Sequence, residues 1–141
     1  MKLSEHFKLS EFIASETADK LGIDNSIEVG SDFYVVENLK SLCGWTLEPI
    51  RAKIGCPVRI SSGYRCARLN EAVNGSDTSD HLCGLAADIY FEHFKDRWYE
   101  VVILLACTPW IPFDQLIIYD TFLHVGIGRR MRRQILDYRN K

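Results

Sequence analysis

Apolar positions along this chain fall into short runs whose period changes from one stretch to the next. Phe7, Leu9, Phe12 and Ile13 are spaced like one face of a helix, and a second helical stretch over residues 15–21 is stopped by Gly22. After Ser31, a residue suited to an N-cap, Tyr34, Val35, Leu39, Leu42, Leu47, Ile50 and Ile54 form one long stripe that ends at Gly55 and Pro57, with Gly44 placed to bend it. Residues 58–61 alternate as a strand, and Gly63 opens a loop carrying Tyr64 and Arg65 ahead of a short helix over 67–73. Residues 85–91 have the content of a buried strand. The pattern predicts a helix over Phe94–Cys107, with Trp98, Val101, Val102 and Leu105 inward and Pro109 stopping it. Residues 113–119 and 122–127 read as two strands about a tight turn at Asp120 and Thr121. In the second of these, Leu123, Val125 and Ile127 share one face, which turns Phe122, His124 and Gly126 to the other.

Together these elements predict an α+β fold, a small antiparallel sheet flanked by helices. Without repeats, low-complexity tracts or linkers, residues 1–141 are expected to form one domain. A chain of 141 residues at 47% hydrophobic composition holds enough core to be stable without staples, and a monomer is expected. The formal net charge of -2 argues against nucleic acid as a partner. No apolar run approaches a transmembrane length, and the opening residues lack a signal peptide's apolar segment, so synthesis in the cytoplasm is expected. The five cysteines are odd in number and form no C-x-x-C pair, which predicts mostly buried, reduced thiols rather than a disulfide framework or a cysteine zinc site.

Candidate chemistry enters with His81 and Asp88, seven residues apart, and His124 further on. Two neutral imidazoles and a carboxylate are a common protein shell for a catalytic zinc, leaving one position open. A single strand histidine is ordinarily a hydrogen-bonded structural residue, and Asp88 by itself would be read as a strand-end carboxylate accepting backbone hydrogen bonds. The context of all three changes that reading: Ser79-Asp80-His81-Leu82-Cys83-Gly84-Leu85-Ala86-Ala87-Asp88, with Ser61-Ser62-Gly63-Tyr64-Arg65 before it and His124-Val125 after it.

This ensemble resembles the zinc DD-carboxypeptidases and the phage L-alanyl-D-glutamate endopeptidases, which share the signature S-x-H-x-x-G-x-A-x-D followed by a strand histidine. The likeness extends to Phe7-Lys8-Leu9-Ser10-Glu11-Phe12 and to Leu47-Glu48-Pro49-Ile50-Arg51. It implies a hedgehog/DD-peptidase-like fold, with His81, Asp88 and His124 as ligands of one Zn2+. Zinc so held keeps a net positive charge, lowers the pKa of bound water toward about 7 and polarises an amide carbonyl. Hydrolysis also needs a general base. Similar proteins often place an acid three positions before the last histidine. Thr121 stands there in this chain, so Asp120 is the expected base, its other role being that of a turn-forming aspartate. Asp114 and Glu92 fit that position less well.

Arg65 stands where similar enzymes keep an arginine near substrate, suited to a peptide carboxylate or a developing oxyanion. Ser79, Tyr64 and Gln115 are further substrate-binding candidates, Cys83 is read as packing, and His6 and His93 fall outside the motif. The run Arg129-Arg130-Met131-Arg132-Arg133 is either a solvated helix face or a surface for anionic wall polymer. The implied activity is zinc-dependent hydrolysis of a peptide bond in peptidoglycan stem peptides, as carboxypeptidase or endopeptidase, acting at the cell wall if exported through a lysis pore. The competing class is a non-catalytic, zinc-stabilised binding module for cell wall or protein.

Overall fold

In the computed structural model, which describes residues 1–27, 32–128 and 130–140, strand β2 (Ala86–Tyr90) is buried along all but its last residue. It lies between β1 (Arg59–Ser62) and β4 (Leu123–Gly126), both antiparallel to it. Next to β4 runs β3 (Gln115–Ile118), antiparallel, and on its far side β5 (Gln134–Asp137), parallel. The order is therefore β1-β2-β4-β3-β5. Four strands form the expected antiparallel sheet, and the fifth makes the whole sheet mixed.

Strand alternation gives this sheet two unlike faces. Ala87 and Ile89 of β2, Leu116 and Ile118 of β3, and Leu123 and Val125 of β4 point into the hydrophobic core. Asp88, Ile117 and His124, at intervening positions, face an open cleft instead. The core is completed by helices whose apolar stripes follow the sequence pattern. Helices α1 (Leu9–Ile13) and α2 (Glu16–Leu21) are separated at Ser15, whose hydroxyl accepts from the Ala18 amide, and α2 ends on Gly22 in the left-handed conformation at φ 66.

The long stripe from Val35 to Ile54 is carried by α3 (Phe33–Leu42), one π-helical turn over Cys43–Leu47 and α4 (Glu48–Ile54). Gly44 lies in the π turn, so the expected bend is a local widening of the helix that keeps Cys43, Leu47, Ile50 and Ile54 buried. Tyr34 departs from the stripe and is exposed. Ser31, the expected N-cap, lies outside the described residues. Helix α5 (Ala67–Ala72) is short, and α6 (Phe94–Cys107) has the predicted bounds and packs on α4, with Val101 and Leu105 fully inside.

Two expectations are corrected. Of the five cysteines only Cys43 is buried, whereas Cys56, Cys66 and Cys83 are half-buried and Cys107 is exposed, all as free thiols. Their burial follows the place each holds in its element: Cys66 precedes α5 and its sulfur accepts from the Leu69 amide, and Cys107 ends α6. The basic run is not a helix face. Arg132 binds Asp114 through Nε and Nη2, and Arg133 donates to the carbonyls of Leu105, Thr108 and Ile111 and stacks over Phe113. Two of its arginines thus secure the fold rather than present free charge, while Arg129 lies outside the described residues.

Gly84 fixes the turn that carries His81. Its φ is 73, and a Cβ there would meet the Val35 carbonyl oxygen at 2.8 Å. Gly84→Ala is expected to cost about 2–5 kcal/mol, from about 1–2 for left-handed backbone and about 1–3 for forced repacking. Gly44→Ala, with nothing within 4 Å of the new methyl, is expected to be neutral or better. Chemical denaturation of both variants reads the difference, and equal midpoints would contradict it.

Candidate metal centre and cleft

Three elements bring the candidate ligands together. Ser79 caps a 3-10 turn over Asp80–Cys83, its hydroxyl accepting from the His81 amide at 3.2 Å. That turn places His81 over β2. Asp88 on β2 and His124 on β4 are directly paired in register, so the sheet itself sets their side chains next to each other. One donor atom from each of His81, Asp88 and His124 lies within 4.8 Å of the other two.

The protonation pattern suits a cation. His81 Nδ1 is 2.6 Å from the Gly63 carbonyl oxygen. A carbonyl only accepts, so Nδ1 carries a proton, and in the neutral ring Nε2 is the nitrogen with a lone pair to offer a metal. His81 Nε2 lies 3.3 Å from Asp88 Oδ1, and His124 Nδ1 approaches the same oxygen at 3.0 Å. An imidazole oriented by a backbone carbonyl through its other nitrogen is the usual support of a metal-binding histidine. Burial alone would raise the pKa of Asp88, but the adjoining His124 and His81 rings outweigh it and hold this carboxyl well below the usual range. Asp88 is therefore anionic at neutral pH, as a ligand must be, and two imidazoles with one carboxylate fit zinc.

Arg65 is fixed on three sides. Its Nε donates to Ser62 Oγ at 3.2 Å, Nη1 to Asn70 Oδ1 at 3.3 Å, and Nη2 lies 3.6 Å from Asp88 Oδ2. Asn70 is buried and also donates to the Ser76 carbonyl, tying Arg65 to the loop that leads into the His81 turn.

The cluster opens on a cleft of about 760 Å³ lined by Arg65, Ser79 and Gln115 among the expected residues. Gln115 Nε2 donates to Gln134 Oε1, so its amide is committed to the β3–β5 edge. Tyr64 is not brought to the cleft: it is packed in the core, with its amide donating to the Phe12 carbonyl. Asp120 is not brought there either. It lines a separate cavity with Lys95, Trp98, Arg139 and Asn140, and its carboxylate accepts from Asn140 at 3.0 Å. The turn after β3 directs this side chain outward, which spacing from His124 alone does not report.

Asp80, Tyr119, Arg130 and Arg132 also line the cleft, a place the sequence reading did not give them. Asp80 is half-buried, and burial, reinforced by Asp114, raises its pKa. Its carboxylate has no hydrogen bond among the described residues, unlike Asp114, which Arg132 engages through both oxygens. Gly128 makes room for the two acids, since a Cβ there would come within 2.5 Å of Asp80 Oδ2 and 3.1 Å of Asp114 Oδ2. Adjacency to His81 in the motif was a signal for Asp80. The basic run marked Arg130 and Arg132 as charge, but nothing in the local pattern placed them on this cleft.

A family model described as Peptidase M15 matches residues 5–125, a span that contains the three clustered candidate ligands. No curated protein matches the chain.

Proposed function

The chain belongs to the peptidase M15 family of zinc metallopeptidases, and from that premise we propose that it hydrolyses a peptide bond in the stem peptides of peptidoglycan. The observation that supports this most is the His81, Asp88 and His124 cluster, buried on its protein side and open to the cleft. Zinc bound there supplies Lewis-acid polarisation of an amide carbonyl and acidifies water. The protein's own contribution is to orient His81 through Gly63, to hold Asp88 ionised, and to keep Arg65 beside the place where negative charge develops.

For the proton, Asp80 takes the role first expected of Asp120. It lies in the cleft next to His81 with a carboxylate that no arginine or histidine occupies, while Asp120 faces another cavity. A carboxylate so placed is suited to accept a proton from water and return it to the leaving amine.

Mass spectrometry of muropeptides after incubation with zinc-loaded protein tests this reading. New stem-peptide fragments are expected from the wild type, with about 100-fold less from Asp80→Asn and little change from Asp120→Asn, the loss being of the size general acid–base groups contribute. Fragments that persist undiminished in Asp80→Asn would remove Asp80 as the base. A folded, zinc-replete wild type that releases nothing from several wall types would favour the non-catalytic zinc module.

A further inference from the structure

Three guanidinium groups line the cleft, and two of them are already matched by acids. Arg65 faces Asp88, and Arg132 grips both oxygens of Asp114. The third, Arg130, is exposed and has no salt bridge or side-chain hydrogen bond among the described residues. Its nearby acid, Asp114, is the one Arg132 has taken. A turn closed by the Met131 amide on the Gly128 carbonyl, at 3.2 Å, holds Arg130 at the cleft wall. An uncompensated planar cation on the wall of a substrate-sized cleft is a receptor for a carboxylate, which a guanidinium engages through two parallel hydrogen bonds.

We propose that Arg130 forms a carboxylate subsite of this cleft and makes the protein selective for acidic peptides. This rests on the peptidase reading above and specifies its substrate. Among the described residues no hydrogen bond or ion pair joins Arg130 to His81, Asp88 or His124 on the same cleft, so the carboxylate it receives is placed in this proposal away from the bond being cut. A stem peptide offers such groups in the α-carboxylate of its γ-linked D-glutamate and at its C-terminus. Where either is amidated, the charge is gone and the shape barely changes, which gives a clean comparison.

The experiment uses zinc-loaded protein and three synthetic stem pentapeptides: the free acid, the D-glutamate α-carboxamide and the C-terminal carboxamide. If the peptides are cleaved, KM is read; if none is, calorimetric binding to the same protein is read instead. Wild type is expected to favour the free acid over one of the amides by about tenfold or more, as loss of a charge-assisted bidentate contact implies. Arg130→Gln should erase that preference and Arg130→Lys should restore part of it. Equal behaviour of all three peptides with the wild type would overturn the proposal, as would a preference that survives in Arg130→Gln. Absence of cleavage together with a preference that depends on Arg130 would instead sink the hydrolase and keep the carboxylate site. Neither cleavage nor binding of any peptide would overturn both.

Discussion

Replacement of His81 by alanine is expected to lower the zinc content of the purified protein from one equivalent to less than about a tenth. The imidazole is 3% exposed and held in place by the Gly63 carbonyl. Two ligands remain, Asp88 and His124, which is too few for a stable zinc shell. The effect on stability follows by mass action. A metal at about 1,000 times its Kd adds about 4 kcal/mol to the folded state, and His81→Ala forfeits that increment. Zinc-dependent thermal stabilisation should therefore be large in the wild type and absent in the variant. His93→Ala, at a histidine with a well-exposed side chain outside the cluster, should retain full zinc content. A His81→Ala protein that still carries one zinc would refute the assignment of the site.

Arg65→Ala is expected to reduce kcat/KM by about 100-fold or more with zinc content unchanged, in the range found when a preorganised donor to developing charge is removed. Every nitrogen of this guanidinium has a direction set by Ser62, Asn70 or Asp88. A lysine ammonium cannot meet those three partners at once, so Arg65→Lys should recover less than about a tenth of the loss. Measuring kinetics and metal content on the same preparations separates a charge placed for chemistry from one that merely steadies Asp88. Normal zinc content with kcat/KM within threefold of wild type would remove Arg65 from the mechanism.

The parts of the fold legible in the sequence are those where one period runs uninterrupted between strong stops. Helix α6 is delimited by a clear apolar face and by Pro109, and β2 by a run that is buried on both sides. The candidate ligands His81, Asp88 and His124 were legible through the resemblance of the surrounding motif to a known family, and the structure brings the three together. What escaped depends on contacts between distant segments. Strand β5 has alternating burial of only intermediate depth and exists because β3 offers it a parallel partner. The Cys43–Leu47 π turn preserves the apolar stripe and so leaves almost no mark on it. Asp120 was placed by counting back from His124, but a β-turn residue's direction is set by the turn, and Asp80, an acid that does line the cleft, lies in the turn before β2, far along the chain from that hairpin. Arg132 and Arg133 looked like free charge because Asp114 and the carbonyls at the end of α6 are far from them along the chain.

The register of β2 against β4 sets more than the shape of the site. Asp88 and His124 are opposed residues on neighbouring strands, and a slip of one position would send one of them through the sheet into the apolar core. A cation bound by both, and by His81 from the turn above, is thus a cross-link between strands joined by a long excursion through α6 and β3. It fastens the middle of the sheet in the one alignment that keeps charge out of the interior. Metal loading is therefore expected to stabilise this pairing in particular, and amide exchange in the β2–β4 pair should report cofactor occupancy as directly as activity does.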